Sequence, residues 1–396
     1  MSEVDNSGLY VLNNANAAES VRFMATCEVE AGFQSKGEPK RIHLIILCPN
    51  LDVADQVADR ISKYGDLNSD GRPKLRVAAA ELTEVIMEID NWNEVIPAHA
   101  WTPWFSLFGS RSGFDSIEEC FQDQTKNVHA IETGLSSDPM MNWRLSALDK
   151  YTLVSNSDSH SPWPYRLGRE ANVFQLDGVT YKEIIDVIRK KDPKRFLMTI
   201  ETNPEYGKYH YTGHRDCNVV LSPKEASKYG NMCPVCRKKL TVGVLHRIEE
   251  LADRPEGYIL QGAIPYVCLI PLQEIISVAL GMKDVFAKGV WEEYGKLLKK
   301  FPNELHVLLE ASREEISSIS GARLADAILR VREKKIRFRP GYDGTYGYPI
   351  IFEDEAPPVE SSNSLNEKKE SLRAKDQTAA KPKQGDRAQQ SLSDYF

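Results

Sequence analysis

Residues that can hold a divalent metal ion recur in the first half of the chain, near the ends of short apolar segments. Asp158 and His160 stand two residues apart, just after one such segment. A carboxylate and an imidazole at this spacing can face the same site, and they are a usual donor pair for a catalytic metal. Glu28 and His99 are further candidates at the ends of such segments, whereas His43 begins its segment and is not selected by this rule. Together these residues predict a site where a metal ion activates water for hydrolysis.

A second set of candidate ligands lies between residues 210 and 236. His214 and Cys217 form a His-x-x-Cys pair, and Cys233 and Cys236 form a Cys-Pro-x-Cys pair. Two such pairs are typical of one tetrahedral zinc site, and four protein ligands leave no position open, so we expect one structural zinc ion. His210 is the alternative to His214 as fourth ligand. The seven cysteines are an odd number, which suits a metal site better than a disulfide framework.

Composition and charge restrict the function further. A chain of 396 residues, 41% of them hydrophobic, can form two or three domains with full cores. The net charge of −7 argues against a surface that coats nucleic acid throughout. Two basic runs, residues 189–195 and 329–339, can track phosphates or be solvated helix ends. We found neither a membrane span nor a signal peptide in the sequence, so we expect a cytoplasmic protein without a membrane partner.

Apolar runs alternate with amphipathic stretches from residue 22 to about residue 200. The runs expected as strands are residues 22–27, 43–47, 95–99, 128–131, 151–155, 172–175 and 196–200. The stretches expected as helices are residues 53–64, 116–123, 139–150 and 181–191. This alternation predicts an α/β fold with a mostly parallel sheet, either an open layer or a barrel. In a barrel, the candidate ligands would gather at the C-terminal rim of the strands.

The ordered set of a glutamate, two histidines and an Asp-x-His pair resembles the PHP (polymerase and histidinol phosphatase) superfamily. Within it, the segments at residues 97–105, 131–139, 155–164 and 168–172 are similar to endonuclease Q, a lesion-specific DNA nuclease. The resemblance extends over nearly all of residues 8–352. It implies a distorted, TIM-like barrel of seven strands that holds divalent ions of zinc, manganese or magnesium. It also implies cleavage of DNA immediately 5′ of uracil, hypoxanthine or an abasic site.

Asp158 and Glu132 are the predicted catalytic groups of this site. Glu132 ends one of the apolar runs, where its carboxylate can bind a metal or orient water. A glutamate at a strand end is as often a structural group whose hydrogen bonds are all made within the fold, so this alternative stays open.

The chain also differs from the family pattern. Family members begin with a strand that carries His-x-His, followed by a Gly-x-Gly-Asp segment, and this sequence has neither. We therefore expect the barrel to be incomplete at its N-terminus, with a misplaced start codon preferred over a true deletion. Glu28, His43 and His99 would still hold one metal ion.

A nuclease that acts on a damaged base must expose it, commonly in a pocket lined by aromatic groups. Two loops near the candidate ligands carry aromatic and basic residues. The predicted DNA contacts are Trp101, Trp104, Phe105 and Arg111 in the first loop and Trp163, Arg166 and Arg169 in the second. Core packing is the alternative for any single tryptophan, although Pro103 and the nearby glycines favour an irregular, exposed first loop.

The last residues of the chain indicate a partner. Residues 357–388 have few apolar side chains, which predicts a disordered linker. Residues 389–396 then place a glutamine before a leucine and two terminal aromatics, a spacing that suits a short 3₁₀ turn with one apolar face. The pattern resembles the box that binds the sliding clamp PCNA; a tail that ends in aromatics by chance is the alternative. The clamp contacts would be Gln389, Leu392, Tyr395 and Phe396.

The expected organisation has five parts: a PHP nuclease domain (1–203), a zinc-binding module (204–249), a helical domain (250–356), the linker (357–388) and the clamp peptide (389–396). Residues 316–328 weakly resemble a helix-hairpin-helix, with a plain helical core element as the default. The glycine-rich loop at residues 341–347 lacks the Lys-Ser or Lys-Thr of a P-loop, so we do not expect it to bind a nucleotide.

The leading functional hypothesis is a metal-dependent DNA endonuclease that repairs deaminated bases and is recruited by PCNA. A PCNA-type clamp together with the resemblance to this family implies an archaeal source. One alternative is a PHP-type phosphoesterase acting on a small molecule, for which the zinc module, helical region and tail are superfluous. The other is a non-catalytic, clamp-bound repair scaffold, which the absent N-terminal ligands leave open.

Overall fold

Short strands and helices alternate along the chain, as the apolar runs predict. The structure is a computed structural model that describes residues 1–13, 21–69 and 71–352. The strands are β1 (Ser2–Glu3), β2 (Leu9–Val11), β3 (Phe23–Ser35), β4 (Glu38–Cys48), β5 (Lys74–Leu75), β6 (Glu94–Pro97), β7 (Ala130–Glu132), β8 (Thr152–Val154), β9 (Ala171–Phe174), β10 (Phe196–Thr202), β11 (Thr212–His214), β12 (Val219–Leu221), β13 (Tyr266–Leu269), β14 (Arg337–Arg339) and β15 (Tyr348–Ile350).

The helices are mostly short. They are α1 (Leu51–Ile61), α2 (Ala79–Ile89), α3 (Ile117–Phe121), α4 (Pro139–Asn142), α5 (Tyr181–Lys190), α6 (Pro223–Lys228), α7 (Val244–Leu251), α8 (Leu272–Ala279), α9 (Lys288–Leu298), α10 (Glu304–Leu309), α11 (Arg313–Ser320) and α12 (Ala322–Arg332). Every predicted apolar run overlaps a strand, and every predicted amphipathic stretch contains a helix. In the part of the chain that the structure describes, no helix has the length and apolar character needed to cross a membrane.

The two longest strands, β3 and β4, form an antiparallel hairpin, from the pair Ala25 and Cys48 to the pair Ser35 and Glu38. Its two-residue turn, at residues 36 and 37, has φ angles of 52° and 82°, and tight hairpin turns require such positive values. The other edge of β4 pairs antiparallel with β6. The prediction of a mostly parallel sheet is therefore wrong for this region, because a hairpin and not a helical crossover joins its longest strands.

Parallel pairing occurs between β7 and β8, between β10 and β13, and between β3 and β5. Strand β9 pairs antiparallel with β10. Among residues 1–13, 21–69 and 71–352, no sheet closes on itself. The fold is therefore mixed α/β, and the closure of a seven-stranded barrel is not confirmed.

Separate apolar cores stabilise the two halves of the chain. Behind the hairpin, Ile42, Leu44 and Ile46 alternate along β4 and are fully buried in one core with Leu82 and Ile86 of α2. This alternation is the period of a strand with one buried face. Helices α8–α12 form the second core. The predicted helical region after residue 250 thus contains helices α8–α12, which pack on one another, and also strands β13, β14 and β15.

Candidate active site

Glu28, His43 and His99 bring their ligand atoms together, all within 4.8 Å of one another. Glu28 Oε1 lies 3.2 Å from His43 Nδ1 and 3.6 Å from His99 Nε2. The two imidazoles approach to 3.0 Å between His43 Nδ1 and His99 Nε2. A carboxylate and two imidazoles are donors that suit a divalent transition metal, so these three residues fit one such ion.

The antiparallel pairing of β4 and β6 explains how two distant histidines meet. His43 lies near the start of the apolar part of β4, and His99 follows the end of β6. The start of one antiparallel strand faces the end of the other, and the Ala98 N–H donates to the His43 carbonyl at 3.0 Å. His43 therefore reaches the same rim as His99, although the rule for parallel strands would have placed it at the opposite end.

The Glu28 carboxylate is held in its charged form. Burial would raise the pKa of Glu28, but hydrogen bonds with His43 and His99 outweigh burial and hold this pKa below its usual range. Arg72 also donates to Glu28 Oε1 at 3.0 Å. An ionised carboxylate between two imidazoles is the state that a metal ligand requires.

Glu30 is a supporting residue that sequence reasoning missed. It lies two residues after Glu28 on β3 and directly opposite His43 in the hairpin. Its Oε2 atom is 3.5 Å from His43 Nε2, and Arg41 binds its other oxygen at 2.7 Å. A carboxylate on the second nitrogen fixes the orientation of a ligating imidazole. The Glu-x-Glu alternation along β3 was the available signal.

Glu132 holds the backbone that carries His99. The His99 N–H donates to Glu132 Oε2 at 2.6 Å, and the Asn156 side chain donates to Glu132 Oε1 at 2.8 Å. Burial raises the pKa of Glu132 to about 7. His99 has a φ of 31°, a left-handed conformation that a non-glycine residue adopts only when its surroundings enforce it. Glu132 thus supplies one of the contacts that keep His99 in this conformation.

Asp158 and His160 lie beside this group without joining it. Asp158 lines the same cavity, of about 560 Å³, as Glu28 and Glu132. Asp158 Oδ1 is 3.3 Å from His160 Nε2, and the His160 side chain is 75% exposed. Among the described residues, the ligand atoms that converge are therefore those of Glu28, His43 and His99, and Asp158 lines the cavity that Glu28 also lines.

The second ligand group is complete. The ligand atoms of His214, Cys217, Cys233 and Cys236 all lie within 4.8 Å of one another. His210 stays outside the group: its ring is buried and stacks on Tyr211 with centroids 5.2 Å apart, and burial lowers its pKa to about 4. Of the two histidines that the sequence left open, the structure brings His214 to the cysteines.

Cys233 is already prepared as a thiolate ligand. Burial alone would raise its pKa, but hydrogen bonds from the backbone N–H groups of Cys236 and Val235 lower it to about 6. A thiolate stabilised by backbone donors is the form in which cysteine binds a metal. The group therefore fits a tetrahedral ion held by protein ligands.

Two solved endonuclease structures are similar to this chain over most of its length. The lesion-specific endonuclease PfuEndoQ from Pyrococcus furiosus has 32% sequence identity and a TM-score of 0.77, with coverage of 91% of this chain and 85% of that one. An endonuclease Q solved with a 27-mer duplex substrate carrying an abasic lesion at the active site has the same identity and TM-score. The chain belongs to the endonuclease Q family.

Two curated relatives match part of this endonuclease Q family member. The uncharacterized protein MJ0043 of Methanocaldococcus jannaschii is 37% identical over 259 residues, and the uncharacterized protein YqxK of Bacillus subtilis is 31% identical over 253 residues. These regions cover 63% and 64% of this chain but only 31% and 59% of the two relatives. Residues 271–335 match the family described as the MJ0043 C-terminal domain, which corresponds to helices α8–α12.

The first aromatic loop of this endonuclease Q family member packs inward more than the sequence predicted. Trp101 is fully buried, donates from Nε1 to Asn142 Oδ1 at 2.8 Å and stacks on Phe108. The prediction that Trp101 contacts DNA is therefore wrong, because the ring is part of the core. Phe105 is half-buried, and its ring stacks on His43 with centroids 5.1 Å apart. Trp104 packs edge-on against Tyr209.

The other predicted DNA contacts lie nearer the surface. Arg111 is exposed and donates to the Leu240 carbonyl at 3.2 Å, which joins the first loop to the segment carrying the cysteines. Trp163 packs against Phe286 and Trp291. Arg169 donates to the Ser157 carbonyl through Nε and Nη2. The linker and the predicted clamp contacts Gln389, Leu392, Tyr395 and Phe396 fall outside the described residues.

Gly134 is the position where a small substitution should disturb the site most directly. It has a φ of +61°, and an added Cβ would lie 2.8 Å from His99 Cβ and 2.9 Å from His99 Cα. We expect Gly134→Ala to displace His99 and to lower the free energy of unfolding by about 2 kcal/mol or more, from backbone strain and steric overlap. Urea unfolding measures the loss of stability, and metal titration measures the displacement of His99.

Gly178→Ala is the matched control. Gly178 is exposed, has no neighbour within 4 Å of the added Cβ and does not have a left-handed φ. We expect its stability and metal affinity to stay at the wild-type values. Equal stability and equal metal affinity in the Gly134 and Gly178 variants would contradict the role of Gly134.

Trp101→Ala distinguishes a core residue from a DNA contact. Removal of a buried tryptophan leaves a cavity and typically costs about 3–5 kcal/mol of stability. We expect a large decrease in the urea midpoint of Trp101→Ala and a smaller one for Trp101→Phe, which keeps most of the buried volume. A variant with wild-type stability but weaker DNA binding would instead indicate that Trp101 contacts DNA.

Proposed function

We propose that the protein is a metal-dependent DNA repair endonuclease that hydrolyses the phosphodiester 5′ of uracil, hypoxanthine or an abasic site. The convergence of Glu28, His43 and His99 beside Asp158 carries this proposal. Membership of the endonuclease Q family supports it, as does the abasic duplex at the active site of the relative of known structure. The substrate range is inferred from the family resemblance.

Each residue of the proposed site has a distinct part. Glu28, His43 and His99 hold a divalent ion, with Asp158 and His160 as further ligands from the adjacent loop. When bound, zinc, manganese or magnesium lowers the pKa of water and stabilises the departing oxygen. Glu132 is a positioning residue because both of its oxygens accept hydrogen bonds from His99 and Asn156. Asp158, which lines the cavity with Glu28 and Glu132, is also proposed as a catalytic group.

The group of His214, Cys217, Cys233 and Cys236 is proposed to hold one structural zinc ion, because three thiolates and an imidazole are a preferred zinc set. The segment that it stabilises binds the first aromatic loop. Ser110 donates to the Val242 carbonyl at 3.2 Å, and Arg111 donates to the Leu240 carbonyl. The zinc module therefore supports the loop that carries Trp104 and Phe105 at the mouth of the site.

The surface residues of the proposal are those that can meet a strand of DNA. Trp104, Phe105 and Arg111 belong to the first loop, and Trp163, Arg166 and Arg169 belong to the second. We also propose a PHP barrel with domain boundaries at residues 203, 249 and 356. We further propose that PCNA recruits the protein through residues 389–396. Their support is the family resemblance and the sequence pattern of the C-terminal residues.

One preparation of the full chain can distinguish the three candidate functions. We expect manganese- or magnesium-dependent incision of a uracil or abasic duplex and negligible turnover of p-nitrophenyl phosphate. Efficient turnover of the phosphate ester without incision of lesion DNA would instead favour a small-molecule phosphoesterase. Binding to PCNA with neither activity would favour a non-catalytic scaffold.

A further inference from the structure

The glycine-rich loop at residues 341–347 is fixed to the segment at residues 205–208. The Gly341 N–H donates to the Glu205 carbonyl, the Gly344 N–H to the Lys208 carbonyl and the Gly347 N–H to the Tyr206 carbonyl, each at 2.9 Å. Because these N–H groups donate to carbonyls of the protein, they are not directed at a phosphate. What this loop can offer a ligand is therefore its side chains and not these three N–H groups.

Close backbone contacts set the position of this loop relative to the candidate metal site. A Cβ at Gly347 would lie 2.0 Å from the Glu205 carbonyl oxygen, and a Cβ at Gly341 would lie 2.3 Å from the Gly207 carbonyl oxygen. Gly207 in turn packs against the Leu135 carbonyl. Leu135 follows Gly134, which contacts His99. Successive backbone contacts therefore connect the loop to a residue of the metal site.

Tyr346 is the side chain that this loop exposes. It is 49% exposed, and its ring lies 5.7 Å from Lys208 Nζ and 5.9 Å from the Arg166 guanidinium. The Tyr206 ring supports it from within, with centroids 6.4 Å apart. The Tyr206 hydroxyl donates to the buried Glu274 carboxylate. Tyr346 thus presents an exposed aromatic ring that packs on Tyr206. Lys208 and Arg166, from two neighbouring segments, place their cationic groups near this ring.

The cations around Tyr346 are available for an anionic ligand. Among residues 1–13, 21–69 and 71–352, neither Arg166 nor Lys208 forms an ion pair with a carboxylate; each lies over the ring of its chain neighbour, Tyr165 or Tyr209. Arg169 lies three residues after Arg166 and donates to the carbonyl of Ser157, which precedes Asp158. A row of basic residues therefore leads from the candidate metal site to Tyr346.

We propose that Tyr346, Lys208 and Arg166 form a binding surface for the DNA strand beside the cleavage site, where Tyr346 stacks on a base and the two cations bind adjacent phosphates. Aromatic rings alternating with basic side chains are the arrangement by which proteins hold an unpaired nucleic-acid strand. The inference rests on the proposed function, since it takes DNA as the ligand. It adds Tyr346 and Lys208 to the site and gives the glycine-rich loop a role.

Binding of the full chain to a labelled duplex with a tetrahydrofuran abasic analogue tests this surface. A cleavage-resistant phosphorothioate linkage 5′ of the analogue lets fluorescence anisotropy measure affinity without incision and without a chelator, which would remove the proposed structural zinc. We expect Tyr346→Ala to bind at least about 10-fold more weakly and Tyr346→Phe to bind like wild type, since stacking needs the ring and not the hydroxyl. Lys208→Ala should weaken binding and reduce the dependence of log affinity on log salt by about one phosphate contact.

Lys63→Ala is the matched control, because Lys63 is an exposed lysine that lies 4.6 Å from the ring of Tyr64, just after the end of α1. It should leave affinity and salt dependence unchanged. A 2-aminopurine placed beside the lesion gives a second readout: wild type and Tyr346→Phe should give the same fluorescence, whereas Tyr346→Ala should differ because the stack is lost.

The outcomes separate this inference from the proposed function. If wild type incises lesion DNA while Tyr346→Ala and Lys208→Ala match it in affinity and in 2-aminopurine signal, the surface is refuted and the proposed function stands. If the variants weaken DNA binding but wild type incises no lesion duplex, the surface is supported and the proposed function is refuted. Wild type that binds no DNA refutes both.

Discussion

Glu28→Gln should lower the incision of a lesion duplex by at least about 100-fold while the protein stays folded. The glutamine keeps the volume of the side chain but replaces one acceptor oxygen with an amide donor and removes the negative charge between the two imidazoles and Arg72. Loss of a residue that merely supports a metal ligand typically costs about 10–100-fold, so loss of the charged ligand should cost more. Incision rates at saturating manganese and metal affinities from calorimetry measure the effect.

Glu38→Gln provides the matched control for the charge change. Glu38 begins β4 on the same hairpin, but its side chain is 75% exposed and, among the described residues, pairs only with Lys40. We expect wild-type incision from this variant and only a small change in its melting temperature, because exposed ion pairs contribute little to stability. Wild-type incision with unaltered metal affinity in Glu28→Gln would contradict the assignment of the metal site.

His214→Ala should remove bound zinc and unfold the segment at residues 212–240. Structural zinc sites contribute about 10–16 kcal/mol of apparent binding energy in small zinc domains, and the apolar cluster here consists of little more than Val219, Ala226, Cys233 and Leu240. Without the ion, this cluster is too small to hold the segment. Elemental analysis should show one zinc ion fewer per chain, and limited proteolysis should cut within the segment.

His210→Ala tests the choice of ligand. His210 is buried on Tyr211 and lies outside the ligand group, so its replacement should lower stability by the loss of packing but leave the zinc content unchanged. Loss of zinc from His210→Ala, together with full zinc in His214→Ala, would reverse the assignment. Incision should fall in His214→Ala as well, because the segment supports the loop around Arg111.

Much of the local structure followed from the sequence because it depends on short-range patterns. Apolar runs located every strand from β6 to β10, and the amphipathic stretches located α1 and α5. The sequence did not reveal how the strands pair. The turn at residues 36 and 37, which makes β3 and β4 antiparallel, was overlooked, although Lys-Gly between two β-rich segments is compatible with a tight hairpin.

The sequence predicts which residues form the candidate metal site, but it does not predict the strand pairing that brings them together. His43 was identified by resemblance alone, since it stands at the start of its apolar run; the antiparallel pairing of β4 with β6 supplies the physical reason. Trp101 was misassigned because exposure cannot be read from residue type, and a loop rich in aromatics can also fold inward. Glu30 escaped notice because its partner His43 is adjacent only after the hairpin forms.

A buried acidic pair behind the site also lay beyond sequence reasoning. Glu170 and Glu201 are almost fully buried, and burial raises the pKa of both carboxyl groups, that of Glu201 to about 7. Thr133 and Thr199 donate to Glu201 at 2.8 and 2.6 Å. Such groups are recognised only once strands β9 and β10 are paired, because neither their burial nor their partners are local in sequence.

The position of the cut in a lesion duplex tests the central proposal most directly. The substrate is a duplex labelled at its 5′ end with one uracil or abasic site in one strand, and a matched undamaged duplex is the comparison. We predict a single product that ends immediately 5′ of the lesion, formed with manganese or magnesium, abolished by EDTA and absent from the undamaged duplex. No incision with any divalent metal, or cutting that ignores the lesion, would contradict the account.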